Sequence, residues 1–287
     1  MKVAVIGDLA VDIKGYYYGT IKSGENIMLN KAKINPGGVA GNITYYLTKL
    51  KHQVAVFGAV GDDMWSRFIM SDLENLGVDR SNIKIVNDAP TGFFVIILDI
   101  NAERTMVGSR GANEKLEVLQ EELLNTNPDW IHLSGYSLLN KKGKEILHNV
   151  QKTAKKLGIN YSIDLEGIGF TGMNLSLYSS IVFCNEGTCN EKNTKGSMIT
   201  VIKAGSSGCY IIYSGEIIHH RALTVKAKDT TGAGDAFDAA FIHAYWKTKD
   251  AALACEFANR VASIKVAKIG NRVNIPFGKL LKEFDLS

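Results

Sequence analysis

From Lys228 to Phe237 the chain reads KDTTGAGDAF. Two threonines and two glycines stand against an aspartate, just ahead of AFDAAFIHAYWK, where Phe237, Phe241, Ala244 and Tyr245 recur at helical spacing. The spacing predicts a helix beginning at Gly232, Ala233 and Gly234. The first N–H groups of such a helix lack helical partners and carry the positive end of its dipole, and small residues let an anion come close to them. Asp235 falls in the first turn, beside that anion position. This pairing suits phosphoryl transfer to a hydroxyl: the N–H groups stabilise charge on the moving phosphoryl while the carboxylate takes the alcohol's proton. Taken alone, the same residues also fit a helix cap with tight packing.

The rest of the chain narrows the choice. No GxxxxGK[ST] run, protein-kinase signature set or HExxH pair occurs, which removes the commonest competing nucleotide and zinc-hydrolase chemistries. The 287 residues are 46% hydrophobic and 22% charged, as in an ordinary soluble enzyme. A net charge of +4, dispersed in short runs such as Lys141–Lys144, argues against a nucleic-acid partner. No apolar run is long enough to span a bilayer and MKVAVIGDLAVDI lacks a leader's cleavage pattern, so a cytoplasmic protein without a membrane partner is expected. Cys184, Cys189, Cys209 and Cys255 form no CxxC pair and are expected as thiols in a reducing compartment.

Apolar runs that can position these residues recur along the chain. Val3–Gly7, Val54–Gly58, Phe93–Ile97, Ile131–Leu133, Tyr161–Ile163, Ile181–Phe183, Ile199–Ile202 and Tyr210–Ile212 are Val- and Ile-rich, several without alternation. Helical periodicity lies between them at Gly41–Leu50, Trp65–Leu76 and Lys141–Leu157. The alternation predicts an α/β fold, a central mostly parallel sheet with helices on both faces. Segments 14–35 and 91–110 break the rhythm with aromatic and β-branched residues, reading as a small antiparallel β-lid or as an extra edge hairpin. One domain spanning 1–287 is expected.

DTTGAGDAF, together with the upstream NPGGVAGN (Asn35–Asn42), resembles the two signatures of the ribokinase-like (PfkB) kinase family. GDD (Gly61–Asp63), GAN (Gly111–Asn113), KAGSSG (Lys203–Gly208) and FAN followed by IG extend the resemblance over essentially the whole chain. It implies an ATP-dependent carbohydrate kinase with Mg²⁺ and a small sugar or nucleoside as acceptor. Carried over by position, it makes Asp235 the base and the backbone of Gly232, Ala233 and Gly234 the oxyanion-type hole. It assigns sugar binding to Asp12, to the paired Gly37 and Gly38 and to Asn42. It sets Asn185, Lys203, Gly205, Ser206, Gly208 and Asn259 on the nucleotide side. Asp229, with the later Gly270, matches a position where some relatives use K⁺. The family's lids often pair between subunits, which implies a homodimer through the lid.

The chain departs from the family in one motif. Where an Asn-x-x-Glu pattern is usual it reads Asn185-Glu186-Gly187-Thr188, so the carboxylate that organises Mg²⁺ is missing. Glu186 is left as an indirect, water-mediated metal contact. Arg104, in the lid stretch ERT, reads either as a ligand for an acidic substrate group or as solvated surface. Tyr16–Tyr18 reads either as a stack for a nucleobase or as lid packing. A sugar acceptor is preferred, with a nucleoside kinase or a non-catalytic sugar or nucleotide sensor as alternatives.

Overall fold

The continuous Val and Ile runs form strands covered on both sides. In the computed structural model, which describes residues 1–99, 104–166, 180–190 and 194–287, strand β1 (Lys2–Ile6) lies inside a nine-stranded sheet. Beside β1 run β4 (Gln53–Gly61) and β5 (Ile83–Val86) on one side. On the other run β8 (Trp130–Ser134), β9 (Tyr161–Asp164), β10 (Ser180–Asn185) and β11 (Ile199–Lys203), all parallel. Two antiparallel strands, β12 (Cys209–Tyr213) and β13 (Glu216–His220), finish that edge.

Alternate residues of β1 feed two cores. Val3 and Val5 pack toward helices α1 (Val39–Lys49), α2 (Met64–Asn75), α5 (Ala233–Thr248), α6 (Ala251–Val266) and α7 (Phe277–Glu283). Ala4 and Ile6 face the opposite core, with α3 (Gln120–Thr126) and α4 (Gly143–Leu157). The inner strands are thus sealed on both faces, which is why their sequences do not alternate. Helix α5 is buried from Asp235 to Tyr245, so its apolar and small residues run all round the helix rather than along a stripe.

The lid is a second sheet of four strands, ordered β3 (Asn30–Gly37), β2 (Ala10–Tyr16), β6 (Gly92–Leu98) and β7 (Arg104–Ser109). Its outer pairs are antiparallel, and the central pair β2–β6 is parallel, joining the two inserted segments. Glu103 and its neighbours 100–102 lie outside the described residues. Among the described residues no helix is long and apolar enough to cross a membrane.

The cysteines correct the expectation of thiols. Cys184 at the end of β10 is bonded to Cys189, and Cys209 of β12 to Cys255 of α6, with Cα separations of 5.5 and 6.8 Å. The second pair joins residues 46 apart in sequence, brought together only when the helix packs on the strand.

Candidate active site

Strands β1, β8, β9, β10 and β11 all point their carboxyl ends at one cavity of about 360 Å³, the usual ligand position in an open parallel sheet. The lid covers it with Phe94, Met106 and Arg104, and the start of α5 supplies Thr230, Thr231, Gly232, Gly234 and Asp235. The chain reverses into α5 at Gly232, whose φ of 77° belongs to the left-handed region; a Cβ there would stand 2.6 Å from the Asn271 carbonyl oxygen. The Ala233 N–H closes the turn onto Thr230 O at 3.2 Å, and Ala233 does not line the cavity, whereas Gly232 and Gly234 do.

Asp235 is buried at the cavity wall. Its Oδ2 accepts from Asn42 Nδ2 at 2.8 Å. Burial pushes its carboxyl up to about 6, against the lowering pull of the Asn42 hydrogen bond and the Lys203 ammonium. Asn42 is itself fixed: its Oδ1 accepts from Asn271 Nδ2 at 3.1 Å and from Arg272 Nε at 3.1 Å. Asn271 donates onward to Asp12 Oδ2 at 3.0 Å and to Pro36 O at 3.0 Å. A single polar network therefore orients both Asp235 and Asp12. Burial also pushes Asp12 up to about 6, although Lys14 and Arg272 pull it down. Gly37 leaves room for this carboxylate, since a Cβ on it would fall inside the Asp12 side chain.

Lys203, at the end of β11, turns into the cavity rather than joining the Gly205–Ser207 turn that follows it. Its Nζ stands 2.6 Å from Asp164 Oδ2 and 3.2 Å from Asp238 Oδ1. Burial opposes its charge, but the Asp164 and Asp238 carboxylates outweigh burial and raise its pKa. Gly234 sits directly against this ammonium, where a Cβ would meet Nζ at 3.3 Å. A fixed positive charge thus stands beside the helix start.

The sequence-marked residues divide. Asp12, Gly38, Asn42, Arg104, Asn185, Lys203, Gly232, Gly234 and Asp235 line one cavity. Gly205, Ser206 and Gly208 lie in the turn after β11 and do not line it. Asn259 is buried elsewhere, donating to His220 O at 3.0 Å and tying α6 to the end of β13. Glu186 is exposed and away from the lining. Thr188 closes its turn, its Oγ1 accepting from Asn185 N and donating to Asn185 O, both at 3.0 Å.

Three lining carboxylates carry no local sequence signal. Asp8 is held bidentate by Arg110, at 2.7 and 2.8 Å. Asp164 is engaged by Lys203. Glu166 is buried on the lining, with Oε1 accepting from Ser134 Oγ at 3.0 Å and Oε2 without a partner among the described residues. Burial, and the nearby Asp164 and Asp235, push its carboxyl well above the usual range. Only their place at strand ends, a signal that needs the strand order, could have marked them.

The model of the "pfkB family carbohydrate kinase" group matches residues 1–187 and 188–277. A deoxyribokinase of Salmonella typhi is 25% identical over 305 residues, covering 99% of this chain and 98% of that protein. A probable sugar kinase of Rhizobium etli CFN 42 superposes with a TM-score of 0.83 at 20% identity, over 100% of this chain and 99% of the other. An uncharacterized sugar kinase of Pyrococcus horikoshii solved in complex with ATP superposes with a TM-score of 0.81 at 22% identity, over 98% and 97%. The chain belongs to the pfkB family of carbohydrate kinases, ATP-dependent enzymes that phosphorylate an alcohol group.

Proposed function

We propose that the cavity transfers the γ-phosphoryl of ATP to a hydroxyl of a small neutral sugar, with Asp235 as general base. The observation that carries this reading is the juxtaposition of a buried, Asn42-oriented carboxylate with the glycine turn opening α5, both on one cavity wall. Asp235 accepts the hydroxyl proton as the alcohol oxygen bonds to phosphorus and the bond to the β-phosphate oxygen breaks, releasing ADP. The N–H groups of Gly232 and Gly234, with Lys203 behind them, offset charge on the transferring group. Asp12 accepts from sugar hydroxyls at the lid end, and Gly38 and Asn42 complete that subsite.

The residues fit Mg²⁺ carried with the nucleotide. Among the described residues no three His, Cys, Asp or Glu side chains converge, but such an ion needs only one or two carboxylates besides phosphate and water. The partnerless Oε2 of Glu166 offers one within the cavity, in place of the carboxylate absent at Thr188. Glu166 and Asn185 would hold the ion, which when bound neutralises phosphate charge.

The lining favours a neutral sugar over a phosphosugar or nucleoside. Among the described residues, Asp8, Asp12, Asp164, Glu166 and Asp235 face Arg104 and Lys203 as the lining cations. Tyr16 and Tyr18 stack on each other with ring centroids 6.1 Å apart and do not line the cavity, so neither is offered to a base. The proposal keeps the homodimer through the lid, whose edge strand β7 is exposed along its length; light scattering checks it. The test of function is coupled ADP release with Mg-ATP against ribose, deoxyribose, fructose, ketodeoxygluconate, phosphosugars and nucleosides. One strong neutral-sugar acceptor is expected. Ligand binding without ADP release across the panel would leave a sensor instead.

A further inference from the structure

Asp229, three residues ahead of Gly232, is the anchor of the glycine turn and is fully buried. Its Oδ1 accepts from Thr231 N at 2.9 Å, and its Oδ2 from Gly270 N at 2.8 Å. The two N–H donors come from two segments, the turn ahead of α5 and the stretch after α6, which this one carboxylate joins. The remaining approaches are taken by two lysines. Lys14, from lid strand β2, places Nζ 2.8 Å from Asp229 Oδ2. Lys265, near the end of α6 and with no solvent exposure, places Nζ 2.6 Å from the Asp229 carbonyl oxygen and 3.9 Å from its Oδ1.

The donor set therefore does not fit a dissociable K⁺. Carbonyl and carboxylate oxygens are what such an ion binds, and here ammonium groups already occupy them. A fully buried lysine is rare because its charge must be compensated. One bound monovalent cation would just neutralise the Asp229 carboxylate, and two ammonium groups supply at least that charge at the same point. At Asp229 the ion pairs win: burial pushes it up, yet Lys265, Lys14 and the Gly270 N–H hold it at about 2. At Lys265 burial wins, lowering its ammonium to about 8 against the raising pull of Asp229.

We infer that Lys265 and Lys14 stand in for a monovalent cation behind the phosphoryl-binding turn, so that this enzyme works without K⁺. The inference rests on the kinase reading for its catalytic consequence and on geometry alone for its structural one. Lys265 holds the Asp229 backbone, which leads through Thr230 and Thr231 into the turn. Lys14 ties the lid to the same carboxylate, 215 residues away in sequence.

The test compares wild type, Lys265→Ala and Lys14→Met in potassium, ammonium and tetramethylammonium chloride at one ionic strength, reading both thermal unfolding midpoint and ADP release. Wild type is expected to show the same midpoint and rate in all three salts. Both variants are expected to lose stability and rate in tetramethylammonium and to recover part of each when K⁺ or NH₄⁺ binds the vacated oxygens. Lys14→Met, at the cavity's lid side, keeps the comparison informative where Lys265→Ala does not fold. A wild-type rate that rises with K⁺ and not with tetramethylammonium would overturn the inference. So would variants whose losses no cation restores, which would leave a structural ion pair only. If no acceptor is phosphorylated in any salt, the kinase reading fails, while the midpoint series still decides for or against the lysines.

Discussion

Asn42 Nδ2 donates to Asp235 Oδ2 at 2.8 Å, joining the start of α1 to the start of α5 across 193 residues of sequence. Because Asn42 Oδ1 is itself held by Asn271 and Arg272, the amide cannot flip without breaking two hydrogen bonds. Asn42→Ala is therefore expected to lower kcat by about 10- to 100-fold and stability by about 1–3 kcal/mol, the cost of leaving a buried carboxylate oxygen unpaired. A steady-state pH series separates positioning from general destabilisation. The Asn42 hydrogen bond lowers the Asp235 pKa, so its loss should move the acidic limb of kcat/KM to higher pH.

The wild-type pH profile follows from the same carboxylate. Asp235 titrates at about 6 and takes a proton only when ionised, so kcat/KM is expected to fall as pH drops through about 6. Stability moves the other way. A carboxyl raised from 3.8 contributes stability that is fully present below its unfolded value and lost as pH rises through about 6. Asp235→Asn should then raise stability near about pH 8, by up to about 3 kcal/mol at about 1.4 kcal/mol per pKa unit, and with it the unfolding midpoint, with the gain vanishing near about pH 4. Thermal melts of both proteins across that range check the sign.

Glu166→Gln keeps the volume and the Ser134 contact while removing the charge that the partnerless Oε2 would offer. The Mg²⁺ concentration for half-maximal rate is expected to rise about tenfold or more, the scale seen when a ligand's support is lost. A Mg²⁺ titration at saturating ATP reads it, and an unchanged requirement would place the ion on other donors.

Asp12→Ala should raise KM for the sugar by about 10- to 100-fold, the loss of one or two charge-assisted hydrogen bonds, and leave KM for ATP nearly unchanged. An effect confined to ATP would remove Asp12 from the acceptor subsite. Separate saturation curves for the two substrates distinguish the outcomes.

Much of the scaffold was legible because buried parallel strands write themselves as unbroken Val and Ile runs. Strands β5 and β13 were not, and they lie at the two edges of the sheet, where β13 is largely exposed and no run is required. The glycine turn and Asp235 were legible because a helix start carries local chemistry. Asn271, Lys265 and Lys14 were not, since each acts on a partner more than thirty residues away and looks like an ordinary surface residue in its own segment. Lys203 shows the limit differently: its Gly-Ser neighbourhood pointed to a nucleotide loop, whereas its ammonium is drawn inward by Asp164 and Asp238. The Thr188 departure was visible, but the carboxylate proposed to offset it, Glu166, reaches the cavity only through the order of the strands.

The measurement that bears most directly on the mechanism is ADP release by wild type and Asp235→Asn with the best acceptor, alongside calorimetric binding of ATP and sugar to both. The account predicts a loss of about 10²- to 10⁴-fold in turnover, typical for a missing general base, with both ligands still bound. Near-wild-type turnover in Asp235→Asn would contradict it.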